Sequence, residues 1–242
     1  MREQRLIQYD KDIISGRFKK EQIENLFKDM KEECIANGRN HLIYNLAYDL
    51  LYIKPYIAEY FNCEEDEICL YDYIAGNTLD TVCPYKIILG NANFNLSRIK
   101  NLGKLNKIYG DAIFIDSSRD LIDLGQLTSI EGNATFRKSF IKSLGKLERV
   151  GGNLSLRDSK VTNLADLTYI GKNAFFENSL ITNFNMLKYV GGDIYIEPQH
   201  IKDCINVDVK GDVVLGIETY SINELKDKAS SILEKNKEMQ KI

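Results

Sequence analysis

The sequence predicts an α+β protein. A parallel-sheet solenoid of about six coils, at residues 85–219, is expected between a helical N-terminal capping domain at residues 1–84 and a C-terminal capping helix at residues 220–242. Three observations carry this prediction. A 20-residue unit repeats through the middle of the chain, its apolar positions alternate as in a short strand, and the flanking segments carry helical apolar stripes instead of the repeat.

A glycine followed by asparagine or aspartate marks each repeat. The spacing is 20 residues, with one spacing of 22 and a last spacing of 19, and Lys172-Asn173 fills the one gap in the series. A single coil buries too little apolar surface to offset the entropy lost on ordering it, so the coils must stack and the two ends need caps. The marking dipeptides are Gly90-Asn91, Gly110-Asp111, Gly132-Asn133, Gly152-Asn153, Gly192-Asp193 and Gly211-Asp212.

Two kinds of apolar spacing follow each mark. Leu154 and Leu156 alternate with period two, which predicts a short strand with one buried face. Leu144, Leu147 and Val150 recur every third residue, and we interpret this part of the coil as a turning, partly 3₁₀ or irregular return path. An α-helix would also use positions four residues apart.

The clearest copy of the unit is GNLSLRDSKVTNLADLTYIG, at residues 152–171. Its Leu-x-x-Leu-x-x-Ile-x-Gly-Asn-Leu-x-Leu rhythm resembles the leucine-rich-repeat superfamily and the repeats of receptor L domains. It is most similar to uncharacterised bacterial and phage leucine-rich-repeat proteins with a SLGKLERVGGNLSL-type unit, over about half the chain. The resemblance implies a parallel-sheet solenoid with a binding face. The unit departs from the superfamily order L-x-x-L-x-L-x-x-N, so a horseshoe curvature is not implied.

The flanking segments are predicted to be helical. At the N-terminal end one helical stripe is formed by Ile23, Leu26, Phe27, Met30 and Cys34, and a second by Ile43, Leu46, Ala47 and Leu50. The tyrosines Tyr44, Tyr48 and Tyr52 lie on the flank of the second stripe, where they either contact a partner or pack on the solenoid. At the other end, Ser221 and Glu224 have the spacing of a capping box and open a charged helix.

The composition excludes several classes of function. A net charge of -3 gives no basic footprint for nucleic acid. The N-terminus lacks a signal sequence and no long apolar run follows, so we expect a cytoplasmic protein that does not contact a membrane. The five cysteines are scattered and are expected to be reduced thiols, and we predict no metal ligand and no cofactor. The common nucleophile, phosphate-loop and zinc-protease motifs are missing, so no catalytic residue is predicted.

Stacking places equivalent residues of successive coils in columns. The Asn or Asp of each mark forms one column, and Ser97, Ser117, Ser139, Ser159 and Ser179 form another. Side chains in such columns can accept hydrogen bonds from turn backbone groups. Calcium binding by the carboxylates is the functional alternative, but only Asp193 and Asp212 occupy neighbouring coils.

The outward strand positions carry the candidate site, because packing does not dictate them. There the aromatic residues Phe175 and Tyr195 lie beside a column that changes from basic to acidic. Arginine and aromatic residues dominate the hot spots of protein interfaces. The predicted partner-binding residues are Arg137, Arg157, Phe175, Glu177, Tyr195 and Glu197. The alternative is that Arg157 and Glu177 only pair between coils while a terminal segment covers the aromatic residues.

These observations favour a non-enzymatic module that is monomeric when free and binds a protein partner stoichiometrically. By analogy, such a small binder could be a phage-encoded inhibitor of a bacterial defence or nuclease complex. Two other hypotheses stay open. One is a carbohydrate-binding or carbohydrate-cleaving β-solenoid that uses the carboxylates and arginines of the sheet face, and the other is a self-assembling structural module.

Overall fold

A computed structural model describes residues 8–9, 11–13, 15, 17–37, 50–77, 81–117 and 119–239. Part of the predicted N-terminal pattern therefore cannot be compared with it. Outside the described residues lie Ile43, Tyr44, Leu46, Ala47 and Tyr48, together with the side chains of Met30, Cys34, Leu50 and Tyr52.

The described chain begins and ends in helices. Residues 8–9 and 11–13 are helical, and the α-helices with described bounds are α1 (Lys20–Asn37), α2 (Leu50–Phe61), α3 (Ile201–Cys204) and α4 (Ile222–Met239). Short 3₁₀ turns lie at Glu65–Glu67, Ala75–Asn77 and Pro198–His200. The capping box predicted at the start of α4 is confirmed, because the Ser221 N–H donates to Glu224 Oε2 at 2.9 Å and the Glu224 N–H donates to Ser221 Oγ at 3.3 Å.

The strands between the helices form two parallel sheets, each built from one short strand per coil. Sheet A contains, in spatial order, β1 (Ile68–Cys69), β3 (Ile87–Ile88), β5 (Lys107–Ile108), β7 (Ser129–Ile130), β9 (Arg149–Val150), β11 (Tyr169–Ile170), β13 (Tyr189–Val190) and β15 (Asp208–Val209). Sheet B contains β2 (Tyr73–Ile74), β4 (Ala92–Asn93), β6 (Ala112–Ile113), β8 (Ala134–Thr135), β10 (Leu154–Ser155), β12 (Ala174–Phe175), β14 (Ile194–Tyr195), β16 (Val213–Leu215) and the antiparallel β17 (Glu218–Tyr220).

The parallel-sheet solenoid is confirmed, and it has about seven turns rather than about six. Parallel pairing begins at Ile68 with Ile87 and at Tyr73 with Ala92, upstream of residue 85. The repeat pattern does not reveal this first coil, because it carries Tyr71-Asp72 in place of the Gly-Asn mark. Asp72 nevertheless takes the column position, since its Oδ1 accepts the Asn91 N–H at 2.7 Å.

The predicted return path contains a strand that the sequence interpretation did not recognise. Its first part is a tight turn as expected, because the Leu147 N–H donates to the Leu144 carbonyl three residues before it at 3.1 Å. Its last apolar residue, Val150, instead belongs to β9 and pairs with Ile170 of β11 in sheet A. In this strand only Val150 is fully buried, and a single apolar position cannot show period-two alternation, so the pattern gave no signal for it.

The predicted Asn and Asp column is confirmed as a ladder of hydrogen bonds along the solenoid. In each step the side-chain oxygen of one coil accepts the backbone N–H of the equivalent residue in the next coil. The distance is 2.8 Å from Asn153 N to Asn133 Oδ1 and 3.0 Å from Asn173 N to Asn153 Oδ1. The ladder runs through Asp72, Asn91, Asp111, Asn133, Asn153, Asn173, Asp193 and Asp212.

The core of the solenoid is continuous and closed at its C-terminal end. Inside the first coils Phe94, Phe114 and Phe136 form a stack with 4.8 Å between successive ring centroids. At the C-terminal end Leu225 and Ala229 of α4 are buried against the same core, as the predicted cap requires. Each coil therefore gains its stability from the contacts with its neighbours.

The N-terminal helices α1 and α2 pack against the outer face of sheet A. Ile23, Leu26 and Phe27 of α1 and Ile57 of α2 are buried in one apolar cluster with sheet residues. The sheet contributes Ile68, Leu70, Ile87, Leu89 and Tyr109, which lie in the first three strands and directly after them. The outer face of the later strands, from β9 onwards, contributes no residue to this cluster.

Candidate functional site

The outer face of sheet B brings the predicted aromatic residues together. Strands β12 and β14 pair in register, with Phe175 opposite Tyr195, so both side chains leave the same face in neighbouring coils. Their ring centroids lie 4.8 Å apart at an interplanar angle of 25°. Their neighbours Ala174, Phe176, Ile194 and Ile196 point inwards and are buried. The alternation predicted for this strand therefore positions the pair.

Arg157, from the preceding coil, lies against both rings of this aromatic stack. Its guanidinium carbon lies 4.5 Å from the ring centroid of Phe175 and 5.7 Å from that of Tyr195. A cation above an aromatic face is attracted by the electrons of the ring. The guanidinium group therefore lies beside both rings, closer to Phe175 than to Tyr195.

Glu177 fixes the orientation of the guanidinium group. Nε of Arg157 donates to Oε2 of Glu177 at 2.9 Å, and an Nη of Arg157 donates to Oε1 at 2.7 Å. The hydrogen bond to Glu177 raises the pKa of Arg157 above its ordinary value, against the opposing effect of desolvation. Two parallel charge-assisted hydrogen bonds restrict both side chains, although 44% of the Arg157 side chain and 27% of the Glu177 side chain stay exposed.

The two other predicted site residues stand apart from this arrangement. Nε of Arg137 lies 3.6 Å from a carboxylate oxygen of Asp158, an ion pair at an exposed turn. Glu197 precedes the 3₁₀ turn Pro198–His200, and its Oε1 accepts a long hydrogen bond of 3.4 Å from the Asn178 N–H. We call Arg157, Phe175, Glu177 and Tyr195 the sheet-B cluster. The alternative interpretation expected Arg157 to pair with Glu177, and this ion pair is present. It also expected Phe175 and Tyr195 to be covered, but both rings keep part of their surface exposed.

Sheet A carries a second aromatic stack, which the sequence interpretation missed. The rings of Tyr169 and Tyr189 lie 4.9 Å apart at an angle of 9°, and the guanidinium carbon of Arg149 lies 4.0 Å from the Tyr169 centroid. Nε of Arg149 also donates to Oε2 of the buried Glu131 at 3.1 Å. The 20-residue spacing of the two tyrosines was a usable signal, but it lay in the segment interpreted as an irregular return path.

A cleft of about 430 Å³ is lined by residues of α1, of α2 and of the outer face of sheet A. Its charges are mixed, and burial raises the pKa of the Tyr109 phenol at its floor, with the Glu131 carboxylate adding to the shift. It is lined by Glu24, Asn25, Phe27, Lys28, Tyr60, Lys107, Tyr109 and Glu131. Since two lysines face two carboxylates, this lining has no net charge that would select one ligand class.

The described part of the chain also contains carboxylates and thiols outside these surfaces. There, three or more His, Cys, Asp or Glu residues nowhere come together as a metal site would require. Burial raises the pKa of the Cys204 thiol to about 12, so this thiol is protonated at neutral pH. Among the helices of the same residues, none combines the length and apolarity that crossing a lipid bilayer requires.

Comparison with known proteins adds no relative from which a function could be transferred. The chain matches no protein-family model, no curated protein and no solved structure. Its function is therefore inferred from the geometry of the surface alone.

Proposed function

We propose that this protein is a non-enzymatic binding module that holds a protein partner on the outer face of sheet B, centred on the sheet-B cluster. The observation that carries the proposal is the ordered stack in which Arg157, tied to Glu177 at 2.7 and 2.9 Å, covers Phe175 and Tyr195. Aromatic and arginine side chains that are already restricted lose little entropy when a partner covers them.

The arrangement favours a protein partner over a carbohydrate. Sugar rings stack on a free aromatic face, whereas Phe175 and Tyr195 stack on each other at 4.8 Å and the Arg157 guanidinium carbon lies 4.5 and 5.7 Å from their ring centroids. Hydrolysis of a glycoside needs one carboxyl group that can donate a proton and another that can act on the sugar. Both oxygens of Glu177 accept hydrogen bonds from Arg157, which leaves this carboxylate poorly placed for either role.

The proposal also covers the repeat family of the coil, the oligomeric state of the free protein and its location in the cell. We propose that the coil is related to the leucine-rich repeat, on the strength of the Leu-x-x-Leu-x-x-Ile rhythm and of the parallel ladder that it forms. We also propose that the protein is monomeric when free and acts in the cytoplasm, where inhibition of a defence or nuclease complex would be one way for a small stoichiometric binder to act.

The test compares three forms of the full chain as affinity baits in a lysate of the native host, with bound proteins quantified by mass spectrometry. The first form is unchanged, the second carries Phe175→Ala and Tyr195→Ala on sheet B, and the third carries the matched pair Tyr169→Ala and Tyr189→Ala on sheet A. Circular dichroism checks that all three are folded. The affinity for the captured protein is then measured with purified components.

We expect a protein that the unchanged chain and the sheet-A variant retain and the sheet-B variant loses. Loss of one hot-spot aromatic residue costs at least about 2 kcal/mol, or about 30-fold in affinity, so the sheet-B variant, which loses two, should bind more than about 30-fold more weakly. Equal retention by all three forms would contradict the proposed surface. Loss only with the sheet-A variant would move the site to the tyrosine stack of the other face.

A further inference from the structure

His200 is buried where the C-terminal cap meets the last coils. It ends the 3₁₀ turn Pro198–His200 and is only 2% exposed. Neither Nδ1 nor Nε2 has a hydrogen-bond partner among the described residues. The ring instead stacks on Phe184, with 5.5 Å between the centroids and an angle of 25°. The imidazole therefore occupies the place of an apolar aromatic side chain.

The elements around His200 provide little to stabilise a charged imidazolium. The 3₁₀ turn packs against α3 and α4, and α4 turns the apolar residues Leu225 and Ala229 towards the core. The charged groups of the turn and of α3 are Glu197, Lys202 and Asp203, and only the two carboxylates would favour the charged ring. The charged residues of α4 whose side chains are described all lie exposed, and they are Glu224, Lys226, Asp227, Lys228 and Glu234.

We propose that His200 makes the C-terminal cap, defined here as the last coil together with α4 (residues 198–239), sensitive to acid, so that protonation of its imidazole releases this cap from the preceding coils. With neither nitrogen bound to an acceptor, an added proton would leave two N–H donors and a full charge in an apolar joint. Opening the cap returns that group to water. A buried unpaired charge is among the groups that destabilise a folded protein most.

The direction of the pH dependence follows from the burial of the ring. Burial lowers the pKa of His200, while Asp203 and Glu197 oppose the shift by raising it. The open state has the ordinary histidine pKa of about 6.5 and binds the proton more readily than the closed state. Stability of the cap is therefore complete above that pH, and it falls as the pH drops from there towards the lowered value of the closed state.

Opening of the cap would also affect the candidate binding face, a consequence that rests on the proposed function. Glu197 precedes the turn that holds His200, and Tyr195 lies two residues before Glu197. Release of the cap would free this segment and disturb the end of the aromatic stack. Partner binding on sheet B should then weaken over the same pH range in which the cap opens.

Hydrogen exchange followed by mass spectrometry tests the cap without any partner. The full chain and a His200→Phe variant are compared from about pH 7.5 to about pH 5, after correction for the intrinsic pH dependence of exchange. We expect cap peptides of the unchanged chain to open up to about tenfold more per pH unit below about pH 6.5. In the variant, whose ring cannot titrate, the opening of the cap should be independent of pH over this range.

Two further measurements separate the titration of His200 from that of the carboxylates and of the second histidine. Peptides from residues 134–176 belong to coils without a histidine, so they report acid effects unrelated to histidine. An NMR titration follows His200 directly, and its signal is assigned against His41, the other histidine of the chain, by its loss in the variant.

The proposal is overturned if the cap of His200→Phe opens with acid as the unchanged cap does. It is equally overturned if His200 becomes protonated while the cap keeps its protection. Should His200→Phe fail to fold, His200→Gln repeats the comparison with a side chain that does not titrate in this range. Since neither readout involves a partner, a wrong binding surface and a wrong cap mechanism give different results.

Discussion

At the scale of single residues, the corners of the coil depend on a few polar groups and on backbone conformation. The Asn and Asp ladder gives each corner N–H an acceptor in the preceding coil. A second column, inside the tight turn of five coils, adopts a left-handed conformation at Gly103, Gly125, Gly145, Ala165 and Asn185. The first column was visible in the sequence as a repeated dipeptide. The second is occupied by three residue types, so its shared conformation emerges only from the structure.

The ladder predicts that Asn153→Ala lowers the free energy of unfolding. The substitution removes the oxygen that accepts the Asn173 N–H at 3.0 Å, and an amide group left without its partner costs about 1–3 kcal/mol. We expect the free energy of unfolding, measured with urea, to fall by that amount. The matched control is Asn153→Asp, which keeps an acceptor and reproduces the residue found at Asp111 and Asp193 of the same column. A similar loss in both variants would show that the hydrogen bond is not the cause.

The left-handed column predicts that Ala165→Gly stabilises the protein. Ala165 has φ of 50°, a conformation that glycine adopts without the steric cost that a Cβ brings. The gain should be about 0.5–1 kcal/mol in urea unfolding. The reverse substitution, Gly145→Ala, changes the equivalent position with φ of 59°, where the nearest atom to an added Cβ would lie at 3.5 Å, and should lose a comparable amount. A gain in the second variant would contradict this prediction.

At the scale of elements, the strands are too short to be stable or recognisable one at a time. Each contains two or three residues and is held by its neighbours in the parallel ladder. The sheet-B strands were predicted because their inward residues alternate around an exposed position. The sheet-A strands were not, because their signal is a single buried residue at the end of a three-residue spacing. The missed strands in turn concealed the tyrosine stack of sheet A.

The C-terminal helix predicts that Leu225→Ala weakens the cap. Leu225 is fully buried at the end of the core, and replacing a buried leucine with alanine typically costs about 2–5 kcal/mol. Exposure of the last strands should make the variant associate, because an open edge of a sheet pairs readily with another chain. Light scattering at increasing concentration should show this as a rise in mass. The neighbouring exposed substitution Lys226→Ala should leave the mass constant, and growth of both variants would argue against the cap.

At the scale of the whole molecule, two apolar clusters share sheet A. One fills the solenoid along its length, and the other joins α1 and α2 to the outer face of the first strands. In a solenoid each coil is stabilised mainly by its neighbours, so a substitution that unfolds one end does not have to unfold the other. The helices, the long core and the terminal cap should therefore differ in their opening free energies.

This division predicts the outcome of Leu89→Asp. Leu89 is fully buried between sheet A and the helices, and a carboxylate there has to reach water. We expect α1 and α2 to lose protection against hydrogen exchange while the coils at residues 134–196 keep it. The contrasting variant Leu156→Asp places the same group inside the long core and should remove protection from those coils. Uniform loss across the chain with Leu89→Asp would mean that the two clusters unfold together.

The sequence by itself determined the repeat, the buried face of the sheet-B strands, the corner ladder and the capping helix. Each of these is encoded in residues close together in the chain, or repeated at a fixed period that stacking converts into a column. It also identified the residues of the sheet-B cluster, because their positions follow from strand alternation. It did not show that Arg157 forms hydrogen bonds to Glu177 rather than to a partner. It also did not show that Arg137 forms an ion pair with Asp158.

The tertiary structure alone decided which surfaces are covered. The outer face of sheet A is buried under helices near Leu89 and open near Tyr169, although both lie in strands or corners of the same repeat. It also buried His200 without a hydrogen-bond partner at the joint of the cap. Such features depend on contacts between segments far apart in sequence, and local pattern carries no information about which of them meet.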